Sequence, residues 1–457
     1  MTIEAALADL QTLLGDRLSR SKSDLALHGQ SETYFAQTPP DAVAYPNTTA
    51  DIAEIAKICT RHECPLVPWG TGTSLEGHAL AIRGGVCVDF SKMDKVLEVF
   101  AEDMCVRVQP GVTRQDLNTY LRDTGLFFPV DPGANASLGG MAATRASGTT
   151  AVRYGTMRDN VMGLEVVMAD GRIITTGTRA RKSSAGYDLT GLFVGSEGTL
   201  GIITELTLRL QGHPEATSAA VAAFETMQAA VETVIATSQM GLPMARIEFL
   251  DAASAVACNA YAGSSLPDKP HLLLEFHGSD LSVEQDAKTF GELATDAGAL
   301  GFEWATKAEE RRALWTMRHN AYYAILASRK GATALVTDLC VPISQLAQAV
   351  EETQNDIAES GIPGPILGHV GDGNFHAVLL VDPGQPKELE TAKALSDRMV
   401  ERALDLGGTA TGEHGVGMGK LSYMEREHGD GWGVMADIKR AMDPLNILNP
   451  GKVVKIN

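Results

Sequence analysis

The chain has 457 residues, of which 44% are hydrophobic and 21% are charged, and this length allows two or three domains with substantial cores. Its formal net charge of −19 argues against nucleic acid or an anionic membrane as the main partner. No apolar run is long enough to span a bilayer, and the N-terminus lacks the basic and apolar regions of a secretory signal. The six cysteines include no CxxC pair, which favours reduced, buried thiols in a cytoplasmic protein.

The first 212 residues predict a mixed α/β domain. Residues 1–20 predict a short amphipathic helix, and residues 42–60 predict a strand followed by a helix with apolar residues at helical spacing. Residues 164–177 predict a hairpin that turns at Asp170-Gly171, because this dipeptide favours a tight hairpin turn. Residues 198–210 are rich in β-branched residues and predict a further strand.

Residues 213–420 predict a second domain of the α+β class, in which helices pack on one face of a sheet. The boundary falls near His213-Pro214, and the Ala-rich stretch at 223–241 predicts a helix. Residues 421–457 form a C-terminal segment that is expected to return to the first domain. The further predicted elements are strands at 244–250, 271–277, 333–341, 365–370 and 375–381 and helices at 282–298, 344–361 and 432–443.

Three glycine-rich segments predict a cofactor that lies against the backbone. In residues 69–74, the amides of a glycine-rich turn offer a concave set of N–H donors to a pyrophosphate. This segment is not the dinucleotide fingerprint, because Leu75 stands where a third glycine would fall, and an ordinary strand and turn explain it equally well. Residues 131–148 are nearly all small, which suits a flat cofactor better than a core. Residues 195–203 have the same character.

Four motifs follow one another along the chain: PLVPWGTGTSLEG, DPGANASLGGMAA, AVRYGTMRDNV and GLFVGSEGTLGIITELTL. They resemble, in this order, the FAD-binding domain of the vanillyl-alcohol oxidase/p-cresol methylhydroxylase (PCMH) superfamily, in its D-lactate dehydrogenase and glycolate oxidase group. The resemblance covers about residues 40 to 455. It implies a two-subdomain FAD-binding domain followed by an α+β substrate (cap) domain with an antiparallel sheet.

The resemblance also implies how FAD is bound. Some members bond the flavin covalently to a histidine of the first loop, and Thr73 stands at that position, so noncovalent FAD is expected. The residues expected to contact FAD are Gly70, Thr71, Gly72, Thr73, Ser74, Gly77, Pro132, Gly133, Ala134, Ser137, Gly139, Gly140, Ala143, Ser147, Gly148, Tyr154, Gly155, Glu197, Gly198, Gly201, Ile202, Ile203 and Asn449.

The second domain contains a histidine-rich hairpin motif, GHVGDGNFH. A tight turn between two strands would bring His369 and His376 to a common side, and Glu413 and His414 follow downstream. Two imidazoles and a carboxylate make an open site for Zn²⁺ or Mn²⁺, although a pair of structural histidines is the alternative. The resemblance implies that His369, His376 and Glu413 bind a divalent metal and that His414 is the general base.

Arg318 is the candidate for binding a substrate carboxylate, because a planar guanidinium can do so through two parallel hydrogen bonds. The alternative is an arginine on a helix surface. The segment LWTMRHNAYYA resembles the corresponding segment of D-lactate dehydrogenases, which favours Arg318 over the neighbouring arginines. Lys330 and Tyr322 are weaker candidates for the same site, and Asp338 is an alternative acid for which a structural role is favoured.

These parts predict a metal-assisted oxidation of a D-2-hydroxy acid, most simply D-lactate to pyruvate. The metal lowers the pKa of the hydroxyl, Arg318 holds the carboxylate, His414 removes the proton, and hydride leaves C2 for flavin N5. Val378 favours a short or apolar substrate tail over D-2-hydroxyglutarate. The alternatives are a glycolate or D-2-hydroxyglutarate dehydrogenase and a flavin subunit of a larger oxidase that has no turnover of its own.

The expected electron acceptor is a cytochrome, a quinone or an electron-transfer flavoprotein. No nucleic-acid partner is expected, and a homodimer is one candidate assembly. The predicted location is the cytoplasm, with the surface of the inner membrane as an alternative.

Overall fold

The computed structural model describes residues 2–31, 33–305 and 307–456. The chain divides into two compact units. The first unit comprises Met1–Ser147, Gly155–His213 and Glu413–Asn457, and the second comprises Gly148–Tyr154 and Pro214–Gly412. The C-terminal return therefore begins at Glu413 rather than at residue 421, and Gly148–Tyr154, at the end of the second glycine-rich segment, belongs to the second unit.

The first unit contains a four-stranded sheet in the order β1-β2-β4-β3, in which β2, β4 and β3 run parallel. Helices Ile3–Leu14 and Thr49–His62 pack against each other, and their apolar faces join one core with this sheet. Helix Thr49–His62 begins after Thr48, and the side chains of Thr48 and Asp51 form a capping box at its start. The strands are β1 Leu18–Ser19, β2 Ala42–Ala44, β3 Leu66–Trp69 and β4 Val86–Asp89.

A second sheet of the first unit is antiparallel, in the order β5-β6-β10-β8-β9. The hairpin β8–β9 turns at Gly171, where φ is +81°, in agreement with the prediction for Asp170-Gly171. A two-stranded ribbon, β7–β11, completes the strands of this unit. The bounds are β5 Val96–Phe100, β6 Cys105–Val108, β7 Leu126–Phe127, β8 Val161–Val167, β9 Ile173–Gly177, β10 Ile202–Arg209 and β11 Gln211–Gly212.

The C-terminal segment is part of the first unit's core. Leu448 pairs with Leu66 in a parallel bridge, and the buried ammonium of Lys439 donates hydrogen bonds to the carbonyls of Thr199 and Leu448. This segment therefore closes onto the strand that leads into the first glycine-rich loop. The helices of this unit are Ile3–Leu14, Lys22–His28, Thr49–His62, Arg114–Leu121, Leu138–Thr144, Met157–Asn160, Leu189–Phe193, Met424–His428 and Asp430–Met442.

The second unit is built on one antiparallel sheet in the order β15-β12-β14-β13-β18-β19-β16, with β17 also paired to β19. Residues 216–224 form a strand in this sheet, so the predicted helix at 223–241 begins later, at Met227. The alanines of β12 lie between two strands, and this tertiary context overrides their helix propensity. The strands are β12 Ala216–Phe224, β13 Met244–Leu250, β14 His271–Gly278, β15 Ala299–Ala305, β16 Thr333–Val336, β17 Leu339–Cys340, β18 Ile366–His369 and β19 Asn374–Val381.

Helices cover both faces of this sheet, which corrects the prediction of helices on one face. Phe276 of β14 contacts Phe290 of a helix on one side. Leu273, which points to the opposite face, shares a cluster with Trp315 and Ile325 of two other helices. The helices of this unit are Ala151–Tyr154, Met227–Gln239, Ala252–Ala262, Asp280–Asp296, Ala308–His319, Ala321–Ser328, Leu346–Ser360 and Pro386–Asp405.

All six cysteines are free thiols, and all but Cys340 are buried. Among the described residues, no helix combines the length and the apolar character that a membrane crossing requires.

Candidate functional site

The first two glycine-rich segments of the first unit are in direct contact. A Cβ atom on Gly70 would lie 2.2 Å from Ser137 Oγ and 3.9 Å from Gly140 Cα. A Cβ atom on Gly140 would in turn lie 3.0 Å from Ser137 Oγ. A larger side chain at Gly70 would therefore displace the hydroxyl of Ser137. Glycine suits this position because the backbone of the first loop lies against that hydroxyl.

Ser137 carries a buried polar atom at this contact. The residue is 1% exposed, and its Oγ has no hydrogen-bond partner among the described residues. It precedes helix Leu138–Thr144 but does not cap it through its side chain. An unpaired buried hydroxyl costs about 1–3 kcal/mol, so this Oγ suits an oxygen-rich ligand that would pair with it.

The third glycine-rich segment packs on the first. Gly198 has φ +71°, and a Cβ atom there would lie 2.3 Å from Pro68 Cγ, on the strand before the first loop. Asn449 donates from Nδ2 to the carbonyls of His78 and Glu197, at 3.0 and 2.7 Å. The amide of Asn449 thus ties the C-terminal segment to two of the loops through the backbone.

The other residues predicted to contact FAD fall into three groups. The side chains of Ile202 and Ile203 lie in the hydrophobic cores, so a contact of these side chains with the cofactor stays a prediction. Gly148 and Tyr154 belong to the second unit. The remainder lie along the loops of the first unit, buried at Gly77, Gly139 and Gly201 and half-buried or exposed at Thr71, Gly72, Thr73, Ser74, Pro132, Gly133, Ala134, Ala143, Ser147 and Gly155.

In the second unit, the hairpin β18–β19 brings His369 and His376 together. His369 pairs with Asn374, and His376 pairs with Leu367 across the same hairpin, so the two imidazoles share one face. Their ring centroids are 5.6 Å apart, with the ring planes inclined by 82°. Both residues are at least nine-tenths buried.

Each of the two imidazoles is oriented through Nδ1. His369 Nδ1 lies 2.7 Å from Glu248 Oε1, and His376 Nδ1 lies 3.0 Å from the carbonyl of Thr337. A carbonyl or carboxylate oxygen can only accept, so Nδ1 carries a proton in both rings, and in the neutral imidazole the lone pair is on Nε2. This is the tautomer that a metal ligand requires, held by the outer contacts typical of such ligands.

Glu248 connects His369 with Arg318. Glu248 is 0% exposed, and its second carboxylate oxygen lies 2.6 Å from Arg318 Nη2. Arg318 is 8% exposed and its buried Nε has no hydrogen-bond partner in the part of the chain that the structure describes. These contacts exclude the alternative of a surface arginine. Sequence reasoning missed Glu248, and the available signal was a carboxylate inside the apolar strand MARIEFL.

Asp338 and Asn374 fix the chain just before Glu413. The fully buried carboxylate of Asp338 accepts hydrogen bonds from Asn374 Nδ2 at 2.8 Å and from Thr411 Oγ1 at 2.6 Å. A Cβ atom on Gly412 would lie 2.1 Å from Asn374 Nδ2. Glu413 and His414 follow Gly412 directly in the chain and are counted with the first unit.

Tyr154 belongs to a second buried polar chain of the second unit. Its hydroxyl lies 2.7 Å from His277 Nδ1, and His277 Nε2 lies 2.8 Å from Glu275 Oε1. Because the carboxylate can only accept, His277 carries its proton on Nε2 and accepts the hydrogen bond from Tyr154. Burial raises the pKa of Tyr154 above its ordinary value, so the phenol stays protonated and can donate.

The weaker candidates lie at different depths. Lys330 is exposed, and the half-buried ring of Tyr322 contacts the ring of Tyr323. Val378 is 1% exposed and belongs to an apolar cluster with Trp315 and other residues. Its influence on substrate choice therefore stays a prediction.

Two protein families match the sequence: the "FAD binding domain" family over residues 40–177, and "FAD linked oxidases, C-terminal domain" over residues 213–453. A relative described as "Probable D-lactate dehydrogenase, mitochondrial", from Danio rerio, is 48% identical and covers 99% of this chain and 92% of its own length. The chain belongs to the FAD-linked D-lactate dehydrogenase group. FAD is the cofactor of this group's binding domain, as predicted.

Two further relatives show the breadth of the FAD-linked D-lactate dehydrogenase group. "D-lactate dehydrogenase [cytochrome], mitochondrial" from Arabidopsis thaliana is 42% identical over 98% of this chain and 80% of its own length. "Glycolate oxidase subunit GlcD" from Bacillus subtilis (strain 168) is 38% identical over 91% of this chain and 89% of its own length. The predicted family is therefore confirmed.

A solved structure of p-cresol methylhydroxylase shares the fold of this member of the group. It matches with a TM-score of 0.80 at 18% identity, over 98% of this chain and 96% of that chain. The predicted α+β fold, with a PCMH-type FAD-binding domain and an antiparallel cap domain, is confirmed.

The prediction of a cytoplasmic location is wrong. The relatives from Danio rerio, Arabidopsis thaliana and Saccharomyces cerevisiae (strain ATCC 204508 / S288c) are described as mitochondrial, and they match 98% or more of this chain. Free, buried thiols fit any reducing compartment and therefore do not identify the cytoplasm.

Proposed function

We propose that this enzyme oxidises D-lactate to pyruvate with FAD and a divalent metal. The observation that carries the proposal is the buried carboxylate of Glu248, which contacts Arg318 with one oxygen and His369 with the other. The carboxylate and the hydroxyl of a 2-hydroxy acid are on adjacent carbons. A guanidinium and a metal-binding imidazole that share one buried partner suit these two adjacent groups.

FAD fits the glycine-rich loops of the first unit. The hydroxyl of Ser137 at the contact with Gly70 is buried and has no partner in the described part of the chain, and the pyrophosphate oxygens of FAD would pair with it and with the loop amides. When bound, FAD supplies the acceptor for the two electrons and the hydrogen that leave C2 of the substrate. Thr73 carries a hydroxyl instead of the imidazole that bonds the flavin in some members of the superfamily, which supports noncovalent FAD.

His369, His376 and Glu413 would hold the metal, Zn²⁺ or Mn²⁺. The Nε2 lone pairs of both histidines are set by their Nδ1 contacts, and Glu413 directly follows Gly412, which packs on Asn374. Two imidazoles and one carboxylate leave coordination positions for substrate. A divalent metal would act there as a Lewis acid that lowers the pKa of the substrate hydroxyl.

Arg318 would bind the substrate carboxylate, and His414 would take the hydroxyl proton. A neutral imidazole can accept a proton near pH 7, and removal of this proton accompanies loss of the C2 hydrogen as the carbonyl of pyruvate forms. Glu248 compensates the charge of Arg318 and keeps its guanidinium in one orientation. The substrate enters as an anion, so local cations must bind it against the net charge of −19.

Glycolate is the second candidate substrate, because a glycolate oxidase subunit matches 91% of the chain. D-2-hydroxyglutarate is less favoured, since the apolar Val378 on the strand of His376 offers no partner to a second carboxylate. A cytochrome is the proposed electron acceptor, because the descriptions of three relatives read "D-lactate dehydrogenase [cytochrome]". A quinone or an electron-transfer flavoprotein, and a homodimeric assembly, stay predictions.

A panel of substrates tests the proposed function. Purified enzyme would be supplied with D-lactate, L-lactate, glycolate or D-2-hydroxyglutarate, and dye reduction would give kcat/KM for each. D-lactate is expected to give the highest value. A higher kcat/KM for D-2-hydroxyglutarate would refute D-lactate as the substrate. If no hydroxy acid reduces the flavin, the result would favour a flavin subunit without its own turnover.

A further inference from the structure

Glu197 uses its carboxylate within the protein. One oxygen accepts a hydrogen bond from the backbone N–H of Val416 at 2.7 Å, and the other accepts from the N–H of Gly417 at 2.8 Å. The residue is 4% exposed. Both carboxylate oxygens therefore accept hydrogen bonds from the loop that follows His414. A carboxylate would also repel a pyrophosphate, so the cofactor contact expected for Glu197 does not suit its side chain.

The backbone of Glu197 is fixed from two directions. Its N–H donates to the carbonyl of Ala143 at 2.8 Å, and its own carbonyl accepts from Asn449 Nδ2 at 2.7 Å. Its φ of +54° is uncommon for a residue with a side chain. Such a conformation persists where the surroundings determine it, so the carboxylate is presented from a rigid support.

The loop after His414 fits closely onto this support. Gly415 has φ +85°, and a Cβ atom there would lie 2.7 Å from Glu197 Oε1 and 2.8 Å from His78 Nε2. Gly417 has φ +48°, and its Cβ atom would lie 2.1 Å from the carbonyl of Glu76. Both glycines are therefore required for the loop to lie against these residues.

We propose that Glu197 is a positioning residue for His414. The inference rests on the proposed function, in which His414 is the general base. Glu197 holds the two amides that come two and three residues after His414, and it thereby restricts the backbone from which the imidazole projects. Hydrogen bonds from amides to a carboxylate are charge-assisted and short, which suits this role.

The buried charge of Glu197 is balanced within the same unit. Lys452 is 1% exposed, and its ammonium donates to the carbonyl of Leu80 at 2.8 Å. Burial lowers the pKa of Lys452 to about 8, and the negative charge of Glu197 opposes this decrease. The carboxylate therefore stabilises a buried cation while it binds the loop.

The variant Glu197→Gln tests the inference. The amide keeps the volume of the side chain but turns one acceptor into a donor, which faces a backbone N–H. In anaerobic stopped flow, the limiting rate of flavin reduction by D-lactate should fall by ~10–100-fold, because small displacements of a catalytic group have effects of this size. FAD content and the D-lactate concentration for half-maximal rate should stay at the wild-type values.

Two variants sharpen this test. Gly415→Ala disturbs the same contact from the loop side and should reproduce the loss in limiting rate with FAD retained. Glu205→Gln removes a carboxylate on the strand after Glu197, which contacts Arg107 at 3.7 Å, and it should behave as wild type.

The outcomes separate this inference from the proposed function. Loss of FAD from Glu197→Gln would favour the cofactor contact and overturn the positioning role, and a wild-type reduction rate in this variant would overturn it as well. Wild-type flavin that D-lactate does not reduce would instead overturn the proposed function, and this inference with it.

Discussion

The two units build their sites from different chemical groups. In the first unit, the glycine-rich segments meet through backbone and small side chains, as at Gly70, where an added Cβ atom would lie 2.2 Å from Ser137 Oγ. In the second unit, charged side chains on regular strands contact one another, as Glu248 does with Arg318 and His369. A backbone site is damaged by added atoms, whereas a network of charges is damaged by the loss of one member.

The largest effect is expected at His414. His414→Ala should retain FAD, because its side chain is not among the groups expected to bind the cofactor. The rate of flavin reduction by D-lactate should fall by ~10³-fold, the scale of general base catalysis. Anaerobic stopped flow measures this rate, with the neighbouring surface variant His428→Gln as a control. Normal reduction by His414→Ala would refute its role as the base.

The second effect concerns Glu248. Glu248→Gln keeps the volume but removes the charge that orients Arg318 and His369, so metal affinity should weaken by ~10–100-fold. Titration of Zn²⁺ or Mn²⁺ into metal-free protein measures this change. Glu303→Gln, on the exposed edge strand of the same sheet, should bind metal as the wild type does. Equal affinities in the two variants would remove Glu248 from the metal site.

The third effect tests the backbone site. Gly70→Ala places a Cβ atom 2.2 Å from Ser137 Oγ, and such overpacking costs about 1–3 kcal/mol. The affinity for FAD should therefore fall by ~10-fold or more. Flavin content and fluorescence titration of FAD into apoprotein measure it. Gly212→Ala has open space around the new methyl group and should retain FAD, and a normal affinity in Gly70→Ala would place the pyrophosphate elsewhere.

The smallest effect is a pH dependence of the first unit's stability. His28 Nε2 lies 2.8 Å from Asp89 Oδ2, and its ring lies 4.8 Å from the ring of Trp69, which precedes the first glycine-rich loop. Burial alone would lower the pKa of His28, but the hydrogen bonds to Asp89 and to the carbonyl of Asp24, together with the negative charges of these two residues, outweigh burial and raise the pKa. Burial alone would raise the pKa of Asp89, but the hydrogen bonds from His28 and Ser91 together outweigh burial and lower the pKa.

The sign of this dependence follows from the two shifts. Because the pKa of His28 is raised, the contact stabilises the fold below about pH 6.5, and this stabilisation is lost as the pH rises through the pKa of the folded state. Because the pKa of Asp89 is lowered, its charged form stabilises the fold above about pH 4. His28→Gln should therefore lower Tm more at pH 5.5 than at pH 8.5, with a loss of ~2 kcal/mol at the lower value. His213→Gln, on the surface of the same unit, should show no such difference. A difference in Tm between the wild type and His28→Gln that increases with pH would contradict the raised pKa of His28.

The glycine-rich motifs and the histidine hairpin were predictable from sequence because each lies within one short segment. The turn at 370–373 determines which faces of β18 and β19 meet, so His369 and His376 could be paired from their spacing. The contact of Glu248 with His369 could not be predicted from spacing, because it depends on the pairing of β13 with β18, two strands that are over a hundred residues apart in the chain. Contacts of this kind depend on strand order, which local patterns do not encode.

The same limit explains the errors in the fold. The helix predicted at 223–241 begins too early, because Ala223 and Phe224 belong to β12, which pairs with strands on both sides. The predicted strand at 333–341 is divided into β16 and β17 around Thr337 and Asp338, whose polar groups bond to β19 and to Thr411. In the second unit, helices Ala252–Ala262, Ala308–His319, Ala321–Ser328 and Pro386–Asp405 and strand β15 are additional to the predicted elements.

The most direct test is an anaerobic titration of the oxidised flavin with D-lactate, before and after metal removal by a chelator. Wild-type enzyme should be fully reduced by D-lactate and not by L-lactate. The chelated enzyme should keep its FAD, react far more slowly, and recover when Zn²⁺ or Mn²⁺ is restored. Fast reduction by D-lactate in enzyme shown to be free of metal would contradict the account.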